Sequence, residues 1–155
     1  MKEILLSQGK VAIVDDEDYI ALSAYKWYAL RSSRAKNTYY ARRNVSLPGG
    51  KQTSVMMHQV ITGTKNPDHR DGDGLNNQRH NLRKSNRQQN GANKRKLAKA
   101  ASKFKGVSRV TGCSTWQVHV QGKYRGTRPT EIAAAVLYNA VALELFGEFA
   151  LLNKL

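Results

Sequence analysis

The sequence predicts an α+β fold in two parts, and three observations carry that prediction. Short β-branched and aromatic runs, such as Lys10-Val11-Ala12-Ile13-Val14, are broken by Gly, Pro, Ser and Asn turns over residues 1–66. From Trp116 to Gln121 apolar and polar residues alternate with period two, the pattern of a half-buried strand. From Thr130 the apolar spacing becomes helical. A chain of 155 residues with 40% apolar content can bury one or two small cores.

The elements follow in order. After the Lys10–Val14 run, Asp15-Asp16-Glu17-Asp18 reads as an acidic turn. Tyr25-Lys26-Trp27-Tyr28 and Tyr39-Tyr40-Ala41-Arg42-Arg43 read as strands around a Ser/Arg/Asn-rich turn. Leu47-Pro48-Gly49-Gly50-Lys51 is a hairpin-like turn into Thr53-Ser54-Val55-Met56-Met57. The aromatics of this small α+β platform are expected in its core. Residues 1–96 form the first predicted domain, with a leader over 1–54 and the residues of chemical interest in 55–96. A basic linker over 97–103 leads to a second domain over 104–155, three short strands and one helix. Gly122-Lys123 makes a turn between strands. Ala134, Leu137, Tyr138, Val141, Ala142 and Leu145 share one helix face, with Thr130 as N-cap and Gly147 as the stop.

Charge narrows the function. The net charge is +15, and between Gly74 and Pro129 there are 14 Lys/Arg and no Asp or Glu. Such a run implies a polyanionic partner and salt-sensitive binding. It begins directly after the acidic, His-containing segment Asp68-His69-Arg70-Asp71-Gly72-Asp73. No apolar stretch is expected to approach the ~18 residues of a spanning helix. The N-terminal apolar run is too short for a signal peptide. A single cysteine, Cys113, makes neither an internal disulfide nor a multi-Cys zinc site, which fits a reducing cytoplasm. No Gly-rich nucleotide fingerprint points to a small-molecule substrate.

The spacing to explain is Asp68-His69, then Asn81, then Asn90. Hydrolysis of a phosphodiester with one metal ion needs an oxygen ligand, a general base, a group that fixes the base's tautomer, and a second protein ligand. Asp and Asn oxygens suit Mg²⁺. Imidazole is the natural base near neutral pH, and an amide or carbonyl fixes its tautomer. His69 begins a strand-like stretch, Asp71-Gly72-Asp73-Gly74 turns the chain, and Asn81-Leu82-Arg83-Lys84 returns. Ser85 then serves as N-cap of a short helix carrying Arg87 and Asn90. The Asp71–Gly74 segment lacks the bidentate Glu of a calcium loop and is read as a turn. His58 is assigned a structural or DNA-side role, and His80 and His119 the surface.

The segments Met57-His58-Gln59-Val60-Ile61, Asp68-His69-Arg70-Asp71-Gly72-Asp73, Asn76-Asn77, Asn81-Leu82-Arg83 and Gln89-Asn90 resemble the HNH homing endonuclease family. The likeness is to the phage-type branch with Asn as the third motif residue. It implies a ββα-metal fold that cuts DNA with a divalent cation, Mg²⁺ or Mn²⁺. It further implies Asp68 and Asn90 as metal ligands, His69 as general base and Asn81 as the residue orienting that base.

The segments Phe104-Lys105-Gly106-Val107-Ser108-Arg109, Trp116-Gln117-Val118, Thr130–Ala134 and Phe146–Asn153 look like the AP-two/ERF DNA-binding domain. That resemblance implies a three-stranded antiparallel sheet backed by one helix. Independently, Gln117, His119 and Gln121 on the outward side of a strand suit base edges, and Lys105, Arg109, Lys123 and Arg125 suit phosphates. Lys94, Arg95 and Lys96 are expected along the phosphate backbone, with Arg83 and Arg87 as further DNA contacts. The expected partner is double-stranded DNA, with no membrane, small-molecule substrate or obligate protein partner, in a bacterial or phage-infected cytoplasm. The competing readings are a DNA-binding regulator with an inactive nuclease and a structured-RNA binder.

Overall fold

The computed structural model describes residues 1–33, 38–96 and 102–155, which fall into two compact units, Met1–Asn86 and Arg87–Leu155. The tip of the Ser/Arg/Asn-rich turn (34–37) and most of the expected linker (97–101) lie outside the described residues.

In the first unit, β1 (Lys2–Leu5) and β2 (Val11–Val14) form an antiparallel ribbon with Lys2 opposite Val14. Alternation buries Ile4, Ala12 and Val14 and leaves Leu5 exposed. The residues read as an acidic turn instead open α1 (Asp16–Ser23). Three acids in its first turn complement the helix dipole, a capping signal that competes with the turn reading. The Trp27 indole donates to the Leu22 carbonyl at 2.8 Å, satisfying the helix end from within the core. β3 (Tyr28–Arg31), β4 (Tyr39–Ser46) and β5 (Gln52–Met56) make an antiparallel meander in that order. Trp27, Ala29, Ala41 and Met57 join Ile4, Ala12, Val14 and Leu22 in one core. α2 (Met57–Thr62) follows and stops at Gly63 in the left-handed region, φ +62°. Then β6 (Pro67–His69) pairs antiparallel with β7 (Leu82–Lys84).

The second unit begins with α3 (Arg87–Ala92). Ser85, expected as the N-cap of this helix, instead donates its hydroxyl to the Asn66 carbonyl. β8 (Val107–Arg109), β9 (Trp116–Val120) and β10 (Lys123–Arg128) form an antiparallel sheet ordered β10-β9-β8, backed by α4 (Glu131–Phe146). Phe104, Val107, Val118, Val120, Ala134, Ala135, Tyr138 and Ala142 fill the core between sheet and helix. The Thr130 hydroxyl accepts from the Ala133 N–H, as the N-cap reading requires, and the helix ends at Gly147. Leu145, expected on the buried face, is 46% exposed, whereas Ala135 is buried. α4 runs into a 3-10 turn at Gly147–Phe149, and the 19 residues Glu131–Phe149 are long and apolar enough to cross a membrane. That corrects the reading of the sequence, although the inner row of α4 packs on β8 and β9. Ser102 and Lys103, assigned to the linker, are docked: the Ser102 hydroxyl and Lys103 N–H both donate to Glu131.

Candidate active site

The twelve residues joining β6 to β7 form a loop whose internal hydrogen bonds come largely from Asp and Asn side chains. Asp71 accepts from the Asp73 N–H (2.8 Å), the Asn76 amide (2.8 Å) and the Asn81 amide (3.0 Å), and Asp73 accepts from the Leu75 N–H. Burial pushes the Asp71 carboxyl up, but these three donors together outweigh it and hold it below the usual range. Gly72 supplies the left-handed φ of +72° at the tip. The segment is a turn closed by its own carboxylates, as its sequence indicates.

Asn81 completes that clamp. Its carbonyl oxygen accepts from the Asp71 N–H at 3.1 Å, its amide also donates to the Asn76 carbonyl at 2.8 Å, and its backbone carbonyl accepts from the Arg70 N–H. Both ends of the side chain therefore hold the loop rather than the His69 ring.

The far side of the loop is fastened to the leader. Leu75 O accepts from the Ile13 N–H at 2.9 Å, and the Asn77 N–H donates to Ile13 O at 2.7 Å. Asp15 accepts from the Arg79 N–H at 2.7 Å and the Gln78 amide at 3.2 Å. The backbone bond from Arg79 lowers the Asp15 pKa. The Arg79 guanidinium meets Asp18 at 2.7 Å and Glu17 at 2.6 Å.

This scaffold brings Asp68 and His69 side by side in β6, each about 5% exposed. Asp68 stands opposite Arg83 in the hairpin register, and Arg83 Nη2 and Nε reach Asp68 Oδ2 at 2.8 and 3.0 Å. His69 Nε2 lies 3.5 Å from Asn77 Oδ1. The Asn77 amide donates to Leu75 O, which turns its oxygen toward the imidazole and favours the proton on Nε2. Burial lowers the His69 pKa, opposed by the Asn77 bond and by the charges of Asp71, Asp68 and Asp73. The ring is therefore neutral at physiological pH. His58 lies on α2, where burial and then His69 hold its pKa down to about 3. Tyr40 closes the third side, its phenol pushed up by burial and by Asp68.

Asn77 and Tyr40 were not singled out for this site by sequence. Asn77 is fully buried, but in sequence it is one of five asparagines between Asn66 and Asn86. Tyr40 is 29 residues away from His69 along the chain, and only the sheet delivers it.

Asn90 and Arg87 lie on α3 in the second unit, and Lys94, Arg95 and Lys96 follow that helix. Thus Asp68, His69 and Asn81 converge in one unit, whereas Asn90 belongs to the other. Arg109, Lys123 and Arg125 are exposed, and Gln117 and His119 sit part-buried on β9. Gln121 has left the strand: with φ +50°, followed by Gly122 at +79°, it forms the two-residue turn between β9 and β10. Four expected DNA contacts have partners within their own unit, among them Gln117, whose amide donates to the Ser108 hydroxyl at 3.1 Å. Arg83 holds Asp68, the Lys105 ammonium donates to the Ala92 carbonyl, and the Gln121 amide donates to the Gln88 carbonyl.

Asp68 is a hard oxygen donor, buried and oriented by Arg83 through one oxygen, which suits a divalent cation held by carboxylate and amide oxygens. Among the described residues, no three His, Cys, Asp or Glu gather around one point, so a softer, nitrogen-rich site is not built here.

The chain is 34% identical over 163 residues to an uncharacterized HNH endonuclease of Acanthamoeba polyphaga mimivirus. The match covers 97% of this chain and 80% of that relative. No family model and no solved structure matches the chain.

Proposed function

The chain belongs to the HNH endonuclease family, and from that premise we propose that it hydrolyses phosphodiester bonds in duplex DNA with the help of a divalent cation. The observation that carries this reading is the pairing of a buried carboxylate, Asp68, with a neutral imidazole whose Nε2–H tautomer Asn77 favours. Asp68 on β6 is the proposed ligand within the first unit. Mg²⁺, or Mn²⁺ in its place, would supply charge stabilisation at the scissile phosphate and the departing oxygen.

His69 accepts a proton from water at Nδ1 while its Nε2–H stays on Asn77, so the oxygen gains nucleophilicity as it approaches phosphorus. Asn81 serves by holding the Asp71–Asn76 loop in shape, and Asp15 by holding Gln78 and Arg79. The second unit, a three-stranded sheet on one helix, is proposed as a recognition module of AP-two/ERF type. Gln117 and His119 would meet base edges, and Arg109, Lys123 and Arg125 phosphates.

One observation favours a second reading, a DNA-binding regulator with an inactive nuclease. The Arg83 guanidinium already neutralises Asp68, the carboxylate a metal would need. Nicking of supercoiled plasmid separates the two. Activity with Mg²⁺ that EDTA abolishes and that His69→Ala lowers by about 10³-fold supports the nuclease. Tight DNA binding with no nicking under any divalent ion supports the regulator.

A further inference from the structure

Three aromatic rings from three separate elements meet at His69. The His58 ring centroid from α2 is 4.9 Å from that of His69, with the planes at 86°. The Tyr40 ring from β4 is 5.9 Å from His69 at 53° and 5.8 Å from His58 at 77°. All three pairs fall within aromatic contact distance, so the rings form a closed triangle. Tyr40 reaches this position because Gly74 has no side chain: a Cβ there would collide with the Tyr40 ring and the Tyr39 carbonyl.

We infer that His58 and Tyr40 are positioning residues for His69, fixing the plane of its imidazole by ring-to-ring packing. The inference rests on the nuclease reading for its catalytic consequence. His58 cannot touch substrate through Nδ1, which is sealed from solvent and has no hydrogen-bond partner. It acts as a flat, uncharged wall. The Asn77 contact bears on one ring nitrogen at 3.5 Å and constrains the plane of the ring only weakly. An edge-to-face contact from His58 and a tilted one from Tyr40 bound the ring on two sides and hold its plane. Misplacement of a base by a fraction of an ångström is enough to lower turnover without altering how DNA binds.

The test uses the full chain and six proteins: wild type, His58→Phe, His58→Leu, His58→Ala, Tyr40→Phe and Tyr40→Ala. Two readouts are taken. One is plasmid nicking resolved into kcat and KM. The other is the tautomer of the His69 ring, read by long-range ¹H–¹⁵N correlation without DNA or metal. The Phe variants are expected to keep a single Nε2–H tautomer and a kcat within about threefold of wild type. The Ala and Leu variants are expected to show averaged His69 signals and a kcat lower by about tenfold, with KM nearly unchanged. His58→Leu retains apolar volume, so the comparison survives if His58→Ala does not fold.

Phe variants as damaged as Ala would overturn the inference, since polar atoms and not rings would then be in use. His58→Leu behaving like His58→Phe would overturn it equally, since volume alone would suffice. If wild type does not nick while the tautomer pattern follows the rings, the nuclease reading fails and the ring triangle stands. If wild type nicks and neither readout moves in the Ala and Leu variants, the triangle fails alone.

Discussion

Arg83 Nη2 lies 2.8 Å from Asp68 Oδ2, with both side chains only 7% exposed. The two residues face each other across β6 and β7, so the hairpin register itself creates the pair. An arginine in a long basic run, expected to reach DNA, thus turns inward because its cross-strand partner is a buried carboxylate.

Breaking this pair from one side leaves an uncompensated buried charge. Arg83→Ala is expected to destabilise the protein by about 3 kcal/mol in urea unfolding. The Asp68→Ala/Arg83→Ala double variant should lose clearly less than the sum of the two single changes. Strict additivity in that cycle would mean the two groups do not interact in solution.

Gly74 holds its place through space rather than through φ. Gly74→Ala drives a methyl into the Tyr40 ring and the Tyr39 carbonyl, with an expected cost of about 2 kcal/mol. Thermal unfolding measures it, and because Tyr40 is displaced, nicking should fall in the same variant. Gly112→Ala, where a Cβ meets nothing within 4 Å but φ is +75°, is the control for backbone strain alone.

His58 imposes a pH dependence on stability. Its pKa is about 3 in the folded chain, against an ordinary value of 6.5, so between those limits only the unfolded chain binds the proton. Its contribution is fully present above about pH 6.5 and is lost progressively as pH falls toward 3, by up to about 1.4 kcal/mol per pH unit. His58→Phe should flatten the stability profile from pH 7 to 4 in urea titrations. A parallel profile in the two proteins would refute the buried neutral imidazole.

Asp15 ties the site loop to the leader. Asp15→Ala removes the acceptors of the Arg79 N–H and the Gln78 amide. Amide hydrogen exchange at Arg79 and its neighbours should quicken by about tenfold, while β9 and α4 stay unchanged. Arg79→Ala, whose guanidinium contacts are at the surface, should shift global stability by less than about 1 kcal/mol.

DNA affinity should follow counterion release. Lys123→Ala and Arg125→Ala, both exposed on β10, should each reduce the slope of log affinity against log salt by about 1. Lys105→Ala should leave that slope unchanged and lower stability instead, since its ammonium donates to Ala92 inside the unit. Fluorescence anisotropy over a salt series decides both.

Local pattern alone sufficed for much of this chain. The alternation of Trp116 to Val120, the Thr130 cap and the Gly147 stop were legible because each depends on residues within a few positions of one another. The motif order Asp68-His69, Asn81 likewise marked the hairpin that carries the site, since a strand, an Asx-rich turn and a returning strand are encoded in contiguous residues. Asp15–Asp18 were misread as a turn because acids serve a turn and a helix N-terminus equally well, and neighbouring packing chose between them. What pattern could not convey is which of several identical side chains faces inward. That Asn77 rather than Asn81 meets His69, that Tyr40 and His58 flank its ring, and that Arg83 covers Asp68 all follow from contacts between distant segments. Burial depends on the three-dimensional neighbours a residue acquires, and in this loop the docking of residues 75–79 on β2 and Asp15, with Gly74 against Tyr40, supplies them.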